Sequence, residues 1–263
     1  YLRLIMPSIK EEMWKTKGIL FSFAFSDLKV RYRNSILGIV WSIIEPLLLL
    51  GVLFFVFSTM FKFEIENFPI YLLLGIITWN FFKNGTQLAL NSLTNRSSLM
   101  TQIYFPRSIP AFSAGVTSSI LLFTELIVLG FFMIIFGFFP PSTIILLIPI
   151  FLLEFILILG ISLPLSVLNV KFKDTEFIWG VVLQAGFFLT PIFYQFDMLP
   201  DNVQNILQFS PMVQIVTMAH HVTLYGELPP INSILYAVFS ILCLMVMGYL
   251  IFRKLQLRIV EEI

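Results

Sequence analysis

Long apolar stretches separated by short polar breaks are the dominant pattern along the chain. A helix rises about 1.5 Å per residue, so roughly 20 apolar residues are needed to cross membrane hydrocarbon. On that measure the pattern predicts an all-α integral membrane protein with six transmembrane helices. The predicted spans are 36–61, 68–92, 109–138, 143–168, 177–194 and 232–252.

The third and fourth spans are predicted to form a helical hairpin. Residues 108–170 contain only Glu125 and Glu154 as charged groups, and the stretch is too long for one crossing. The sequence FPPS at 139–142 supplies the turn, because adjacent prolines lack backbone donors and resist continuation of a helix.

Two further segments are partly apolar but are predicted not to span. Residues 1–35 form a cytoplasmic segment in which 9–33 alternates cations with apolar side chains, as in an amphipathic helix lying in the headgroup plane. This segment could serve as a membrane anchor alone, or as an anchor that also contacts a cytoplasmic partner.

Residues 195–231 carry four prolines and two apolar stretches too short to cross the membrane. Short re-entrant helices before the last span and a simple surface loop both fit this region, and 36–263 is predicted to form one transmembrane domain.

The distribution of Lys and Arg predicts the orientation. With the N-terminus in the cytoplasm, 14 of the 16 Lys and Arg residues fall in 1–35, 93–108, 169–176 and 253–263. The segments assigned to the outside contain Lys62 as their only cation, against five carboxylates. Because cytoplasmic loops carry an excess of Lys and Arg, both termini are predicted to be cytoplasmic.

Composition supports a membrane protein and excludes several other classes. Hydrophobic residues make up 58% of the 263 residues and charged residues 12%, which is more apolar surface than a soluble domain can hide. The cations are spread over termini and short loops, so no nucleic-acid partner is predicted. His220 and His221 are adjacent and lack the spacing of metal ligands, so no metal site is predicted. The phosphate-loop motif GxxxxGK[ST] does not occur, so we expect no nucleotide cofactor in this chain and no enzyme activity of its own.

Four charged residues fall inside predicted spans: Glu45, Lys83, Glu125 and Glu154. A charge at the centre of a membrane helix costs roughly 2.5–3.5 kcal/mol, so each should face protein or water. Glu45 and Lys83 can form an internal ion pair, or the long lysine can reach the interface. For the carboxylates, structural roles and a proton relay are both open.

Three segments together resemble one protein family. The runs RYRNSILGIVWSIIEPLL at 31–48, NVKFKD at 169–174 and TPIFY at 190–194 are similar, in this order, to the membrane subunits of type 2 ABC exporters for polysaccharides. The O-antigen and teichoic-acid exporters form the most similar group, and the resemblance covers essentially the whole chain. Two positions depart from the family pattern. Ser210 precedes a proline where asparagine is common, and Lys173 stands where arginine is common. The identity of the exported sugar therefore stays open.

The resemblance implies a half-channel with partners. Two copies of the chain would form the pore, and two cytoplasmic ATPase subunits would bind ATP and Mg²⁺. The implied cargo is a polysaccharide linked to undecaprenyl diphosphate, moved across the inner membrane. The loop 93–108 would carry a coupling helix, and its candidate contacts with the ATPase are Asn95, Arg96, Tyr104, Phe105 and Arg107.

Side-chain chemistry suggests residues for both parts of such a cargo. Aromatic rings can stack on the apolar faces of sugars, with packing or interfacial belts as the competing explanation. The candidates are Trp41, Tyr71, Trp79, Phe81, Phe82, Trp179 and Tyr194. Lys29, Arg31 and Arg33 offer charge-assisted hydrogen bonds to a lipid diphosphate, and the headgroups of membrane lipids compete for them.

Three other functions remain open from the sequence. An ABC exporter of drugs or small lipids would need a narrower pore. An integral-membrane glycan or lipid transferase should show paired carboxylates or a basic catalytic cluster at one membrane face, and neither is evident. A proton-coupled carrier would use Glu125 or Glu154 as a relay.

Overall fold

The structure is a computed structural model that describes residues 9–60, 65–102 and 105–256. Every regular element in these residues is helical, in agreement with the predicted all-α class. The α-helices are α1 (Ile9–Arg31), α2 (Trp41–Phe54), α3 (Phe68–Leu90), α4 (Ser97–Gln102), α5 (Ile109–Ile135), α6 (Leu147–Lys171), α7 (Asp174–Leu189), α8 (Asp201–Leu207), α9 (Pro211–His220) and α10 (Ile231–Leu255). Short 3-10 turns lead into α2 and α6, and π-helical turns follow α2 and α9.

Four helical stretches are long and apolar enough to cross a membrane. They are Gly38–Ser58, Ile109–Ile135, Ser142–Lys171 and Ile231–Leu255. These stretches correspond to the first, third, fourth and sixth predicted spans. The second and third of them form the predicted hairpin, with the two prolines of FPPS between them.

The other two predicted spans are α3 and α7. α3 has 23 residues, about 34 Å of helix, but it carries polar side chains that include Asn80 and Lys83. α7 has 16 residues, about 24 Å, against roughly 30 Å of bilayer hydrocarbon. α7 ends at Leu189, five residues before the predicted end of the fifth span. The count of six spans therefore stays a prediction.

α3 lies at the centre of the bundle. It contacts α2, α5, α6, α7 and α9, and 18 of its 23 residues are buried. The consecutive residues Leu72, Leu73 and Leu74 are all fully buried, so α3 is covered on every face rather than along one stripe. Thr78, Asn80 and Thr86 are therefore buried in protein, whereas Lys83, Asn84 and Gln87 face a polar cavity.

α6 and α10 cross at two glycines. A Cβ atom added to Gly248 would lie 1.8 Å from the backbone oxygen of Gly160, and one added to Gly160 would lie 2.9 Å from the backbone of Met245. Small residues allow membrane helices to approach this closely, so that backbone packs on backbone. The two glycines thus fix the position of the last span.

α1 packs along α5 and does not cross the bundle. Ala24 is fully buried, and the Thr117 hydroxyl donates to its backbone oxygen at 3.3 Å. Phe21 and Phe25 are exposed on α1, where the sequence predicted contact with the membrane surface. The chain then turns into α2 through Asn34 and Gly38, both with positive φ, which only a few residue types adopt readily.

The predicted re-entrant region contains two short helices. α8 has no buried residue, whereas α9 packs against α3, α6 and α10. Ile215, Val216 and Ala219 of α9 are fully buried among them. Short helices at these positions agree with the sequence, and their entry into the membrane stays a prediction.

Candidate functional site

A polar cavity of about 510 Å³ opens at the end of the bundle where α3 finishes. We call it the charged cavity. It is lined by the end of α1, by α2, α3, the loop after α3, and α7. The lining combines cations, carboxylates, amides and one indole ring, and includes Arg31, Glu45, Lys83, Asn84, Glu176 and Trp179.

Arg31 is the one predicted diphosphate ligand that reaches the charged cavity. Both of its terminal nitrogens donate to the Asn84 side-chain oxygen, each at 3.2 Å. Lys29 and Arg33 are exposed and are not part of the described lining. In the structure only Arg31 lines the charged cavity, although Lys29 and Arg33 lie two residues before and after it in the sequence.

Glu45 and Lys83 form an ion pair at the mouth of the charged cavity. The Lys83 nitrogen lies 3.7 Å from a Glu45 carboxylate oxygen, which is the first of the two arrangements that the sequence left open. Both side chains are more than one third exposed, so the pair contributes little to stability. Its effect is to hold Lys83 on the cavity side of α3, close to Arg31.

An amide network closes the inner wall of the charged cavity. The Asn169 side chain donates to the Asn91 side-chain oxygen at 2.9 Å and to the Leu90 backbone oxygen at 3.2 Å. Asn91 in turn donates to Glu176 at 3.1 Å. Asn169 belongs to the NVKFKD segment, so this network joins the α6–α7 turn to the end of α3. Sequence reasoning missed it, although an asparagine at the end of an apolar helix was a usable signal.

Three of the predicted aromatic residues meet between α3 and α7. The ring centroids of Trp79 and Phe82 lie 5.7 Å apart, and those of Phe82 and Trp179 lie 6.2 Å apart. The Trp179 indole donates to the Thr86 hydroxyl at 3.2 Å. A second cavity of about 300 Å³ borders Trp79 and shares Lys83 with the charged cavity. Aromatic surface therefore continues from the charged cavity along α3.

The remaining predicted aromatics lie elsewhere. Phe81 is buried in the core and faces Phe151 of α6. Trp41 is 44% exposed at the start of α2. Tyr71 and Tyr194 lie at the opposite end of α3, which we call the far end, where the Tyr71 hydroxyl donates to the Tyr194 backbone oxygen at 2.7 Å. That bond holds the TPIFY segment against α3.

The predicted coupling loop is tied to α1. Arg96 is buried and forms an ion pair with Asp27, and its guanidinium lies 4.6 Å from the centre of the Phe23 ring. Phe105 is also buried and meets the edge of Phe23 at 5.4 Å. Burial raises the pKa of the Asp27 carboxyl above its usual range, and the Arg96 charge acts in the opposite direction. The loop and α1 are thus joined at a mostly buried charge pair.

The other loop candidates occupy three different positions. Arg107 donates to the backbone oxygen of Gln256 at the end of α10. Asn95 lines the charged cavity. Tyr104 lies outside the described residues. The loop therefore contacts both the first and the last helix of the described chain.

The carboxyl groups of Glu125 and Glu154 are buried and do not line the charged cavity. Glu154 is fully buried and Glu125 is 4% exposed. Among the described residues, neither Glu154 oxygen and only one Glu125 oxygen has a hydrogen-bond partner. A buried carboxyl without partners is costly when charged, so these two groups differ from the ion-paired Glu45.

Comparison with known proteins gives one matching family model and several relatives of similar length. A family model described as "ABC-2 type transporter" matches residues 20–224. The "O-antigen export system permease protein RfbA" of Klebsiella pneumoniae is 30% identical over 237 residues, covering 89% of this chain and 91% of that protein. The protein of the same name in Myxococcus xanthus is 27% identical, with 85% and 87% covered. The "Polysialic acid transport protein KpsM" of Escherichia coli is 22% identical, with 86% and 89% covered.

Proposed function

The chain belongs to the ABC-2 type transporter family, and we propose on that premise that it exports lipid-linked polysaccharide across the inner membrane. It is the membrane subunit of a transporter rather than an enzyme, and the ATPase of such a transporter is a separate subunit. Relatives that match nearly its whole length are named for export of O-antigen or for transport of polysialic acid. That shared cargo class supports a polysaccharide over a drug or a small lipid.

The charged cavity is the observation that carries this proposal. Arg31 and Lys83 can form charge-assisted hydrogen bonds with a diphosphate. Asn84 and Glu176 offer amide and carboxylate groups to sugar hydroxyls, and the Trp179 ring offers a face for stacking. A lipid diphosphate bearing its first sugars presents these same three chemistries in one molecule.

We place the charged cavity at the cytoplasmic face. The four predicted inside segments hold 14 of the 16 Lys and Arg residues, and the charged cavity lies beside them. The cargo would then enter where it is synthesised, with both termini of the chain in the cytoplasm. The far end, with TPIFY and α9, would face the outside.

A second copy of the chain would complete the pore. Only 17% of the residues in the most apolar 18-residue part of Gly38–Ser58 are buried within one copy, and the same share holds for α10. α7 has a single buried residue, Leu183. Exposed apolar helix surface of this extent must be covered by lipid or by protein. In a homodimer, part of these faces would meet the partner copy, and the aromatic surface along α3 and α7 would border the passage.

Movement of the ATPase would reach the spans through the loop 93–108. Arg96 joins this loop to α1, and Arg107 joins it to the end of α10. A rigid displacement of the loop would therefore carry both helices with it. This arrangement fits a loop that transmits ATP-driven motion to the first and last parts of the bundle.

Deletion of the chain is expected to abolish surface display of the glycan. Because the chain is proposed to form the export pore, the lipid-linked polymer should accumulate inside the cell. The measurement is surface labelling of the glycan in deleted and complemented cells. Complementation should also fail when the partner ATPase carries a substituted phosphate-loop lysine. Normal surface display in the deleted strain would refute the proposed cargo.

Arg31→Gln is expected to reduce export about tenfold, because it removes a charged hydrogen-bond donor contributing in the range of about 1.5–3 kcal/mol. Lys29→Gln is the matched control, since Lys29 is an exposed cation on the same helix outside the described lining. Rates of glycan appearance at the surface should distinguish them at equal protein levels. An equal loss in both variants would assign Arg31 to membrane anchoring instead.

A further inference from the structure

A separate polar cavity of about 270 Å³ lies at the far end of the bundle. We call it the far cavity. Tyr71 contributes to it, whereas the lining of the charged cavity begins on α3 at Lys83, 12 residues further along the helix. The two cavities are therefore separated by about 18 Å along the helix axis. Nothing in the proposed entry of cargo uses the far cavity.

The base of the far cavity is firmly built. The rings of Tyr71 and His220 stack with their centres 3.7 Å apart, and His220 hydrogen-bonds the Tyr71 backbone oxygen at 3.0 Å. Thr143 donates to the Val222 backbone oxygen at 2.6 Å, which ties the π-helical turn after α9 to the start of α6. The chain then reverses at Gly226, whose φ is +69°. These contacts hold the walls in place before any ligand arrives.

The lining of the far cavity includes the rings of Tyr225 and Phe196 together with polar side chains. Tyr225 is 44% exposed, and its hydroxyl accepts a hydrogen bond from the Gln195 side chain at 2.8 Å, leaving the hydroxyl proton free to be donated. Asp197 and Glu227 add carboxylates, with Glu227 3.5 Å from a His221 nitrogen. A ring beside closely spaced acceptors matches a sugar, which has apolar C–H faces and an edge of hydroxyl donors.

The carboxylates around the far cavity favour an uncharged sugar over an acidic one. The segment 195–231 contains Asp197, Asp201 and Glu227 but no Lys or Arg. A carboxylate-bearing sugar would meet the carboxylates of Asp197 and Glu227, and like charges brought together cost several kcal/mol. A neutral ring meets no such repulsion. The size of the far cavity, below the roughly 300–1,000 Å³ of sites for drug-sized ligands, suits a single ring.

We propose that the far cavity binds one uncharged pyranose unit of the exported polymer, as a second and outward-facing sugar site in each copy of the chain. This inference rests on the proposed function, since it assumes a polysaccharide cargo. Such a site would hold the emerging chain weakly and would favour neutral glycans over polyanionic ones.

Saturation-transfer NMR on the intact transporter with its ATPase, in lipid nanodiscs, tests the site directly. The probes are a neutral trisaccharide of N-acetylglucosamine and a trisaccharide of sialic acid. The neutral probe should receive signal and the anionic probe should not. Tyr225→Ala combined with Gln195→Ala should weaken the neutral signal about fivefold through loss of the ring contact and a hydrogen bond. Tyr249→Ala, which removes an exposed ring from α10, should leave it unchanged.

A variant that neutralises the two carboxylates gives a second test of the far-cavity site. Asp197→Asn combined with Glu227→Gln should admit the anionic probe while keeping the neutral one. Size-exclusion profiles and basal ATPase activity identify variants that fold. The site is refuted if the Tyr225 and Gln195 variant folds and binds the neutral probe as the unmodified chain does, or if the unmodified chain binds only the anionic probe. If the far-cavity site is refuted while cells still display the glycan, the proposed function stands. The proposed function itself is refuted only by the deletion experiment, if the deleted strain displays the glycan normally.

Discussion

Gly248→Ala is expected to abolish correct folding of the transporter, with loss of export as the consequence. The added methyl group would lie 1.8 Å from the Gly160 backbone oxygen, which no change of side-chain rotamer can relieve. Overpacking usually costs about 1–3 kcal/mol and sometimes more, and a clash with backbone belongs at or above the upper end. The measurement is the fraction of monodisperse protein after extraction, together with its melting temperature.

Two further glycine variants test whether the loss of stability follows the distance between the added methyl group and the neighbouring backbone. Gly160→Ala should be less damaging, because its added atom would lie 2.9 Å from the Met245 backbone. Gly130→Ala on α5 is the matched control, since no atom lies within 4 Å of its added methyl group. Alanine is also the better helix former, by up to about 1 kcal/mol. A Gly248 variant that melts like the Gly130 variant would show that α6 and α10 do not cross at these glycines.

Arg96→Gln is expected to destabilise the folded chain by about 3 kcal/mol. Removing one partner of a buried ion pair costs about 3–5 kcal/mol, because the other charge stays buried alone. The lower end applies because the Asp27 side chain retains 20% exposure. Thermal melting should reveal the loss, and stimulation of the ATPase by the membrane subunit should fall with it. Arg253→Gln, an exposed cation near the end of α10, should stay within about 0.5 kcal/mol of the unmodified chain.

The pH dependence of this variant follows from Asp27. Its folded-state pKa is raised above the unfolded value of about 3.9, so protonation of its carboxyl favours the folded state. That contribution is complete below about pH 3.9 and is lost as the pH rises through the raised pKa. Without Arg96 the pKa rises further, so Arg96→Gln should cost less at pH 5 than at pH 8. Combining it with Asp27→Asn should recover most of the loss, and a pH-independent cost would contradict the ion-pair explanation.

The ends of several spans could be predicted from the sequence because they depend on local chemistry. The third span was predicted to begin at residue 109 and the last at residue 232, and α5 and α10 begin at Ile109 and Ile231. Proline or charge near these points limits a helix whatever it packs against. The end of α7 was missed by five residues, although Thr190 precedes Pro191 and a residue before proline avoids helical geometry.

The interior of the site was less predictable because it depends on residues far apart in the chain. Arg31 and Asn84 are 53 positions apart, and Asn169 and Asn91 are 78 apart. A single sequence contains no signal that pairs them. Arg96 was predicted as a residue of the loop between two spans and, through the family resemblance, as a contact with the ATPase, but its burial against Asp27 depends on how α1 folds back along α5. The separation of Arg31 from Lys29 and Arg33 had the same cause.

The burial of α3 has a consequence for how the protein is made. This helix carries Asn80, Lys83, Asn84 and Gln87, and one central lysine alone costs roughly 2.5–3.5 kcal/mol on leaving the insertion machinery for lipid. Lys83 pairs with Glu45 of α2 and Asn84 with Arg31 of α1, both made before α3, whereas α5 and α6, which cover most of its other faces, are made later. α3 therefore has reason to remain at the translocon with α2 until the later helices emerge, so that the bundle enters the bilayer as a group and not one helix at a time.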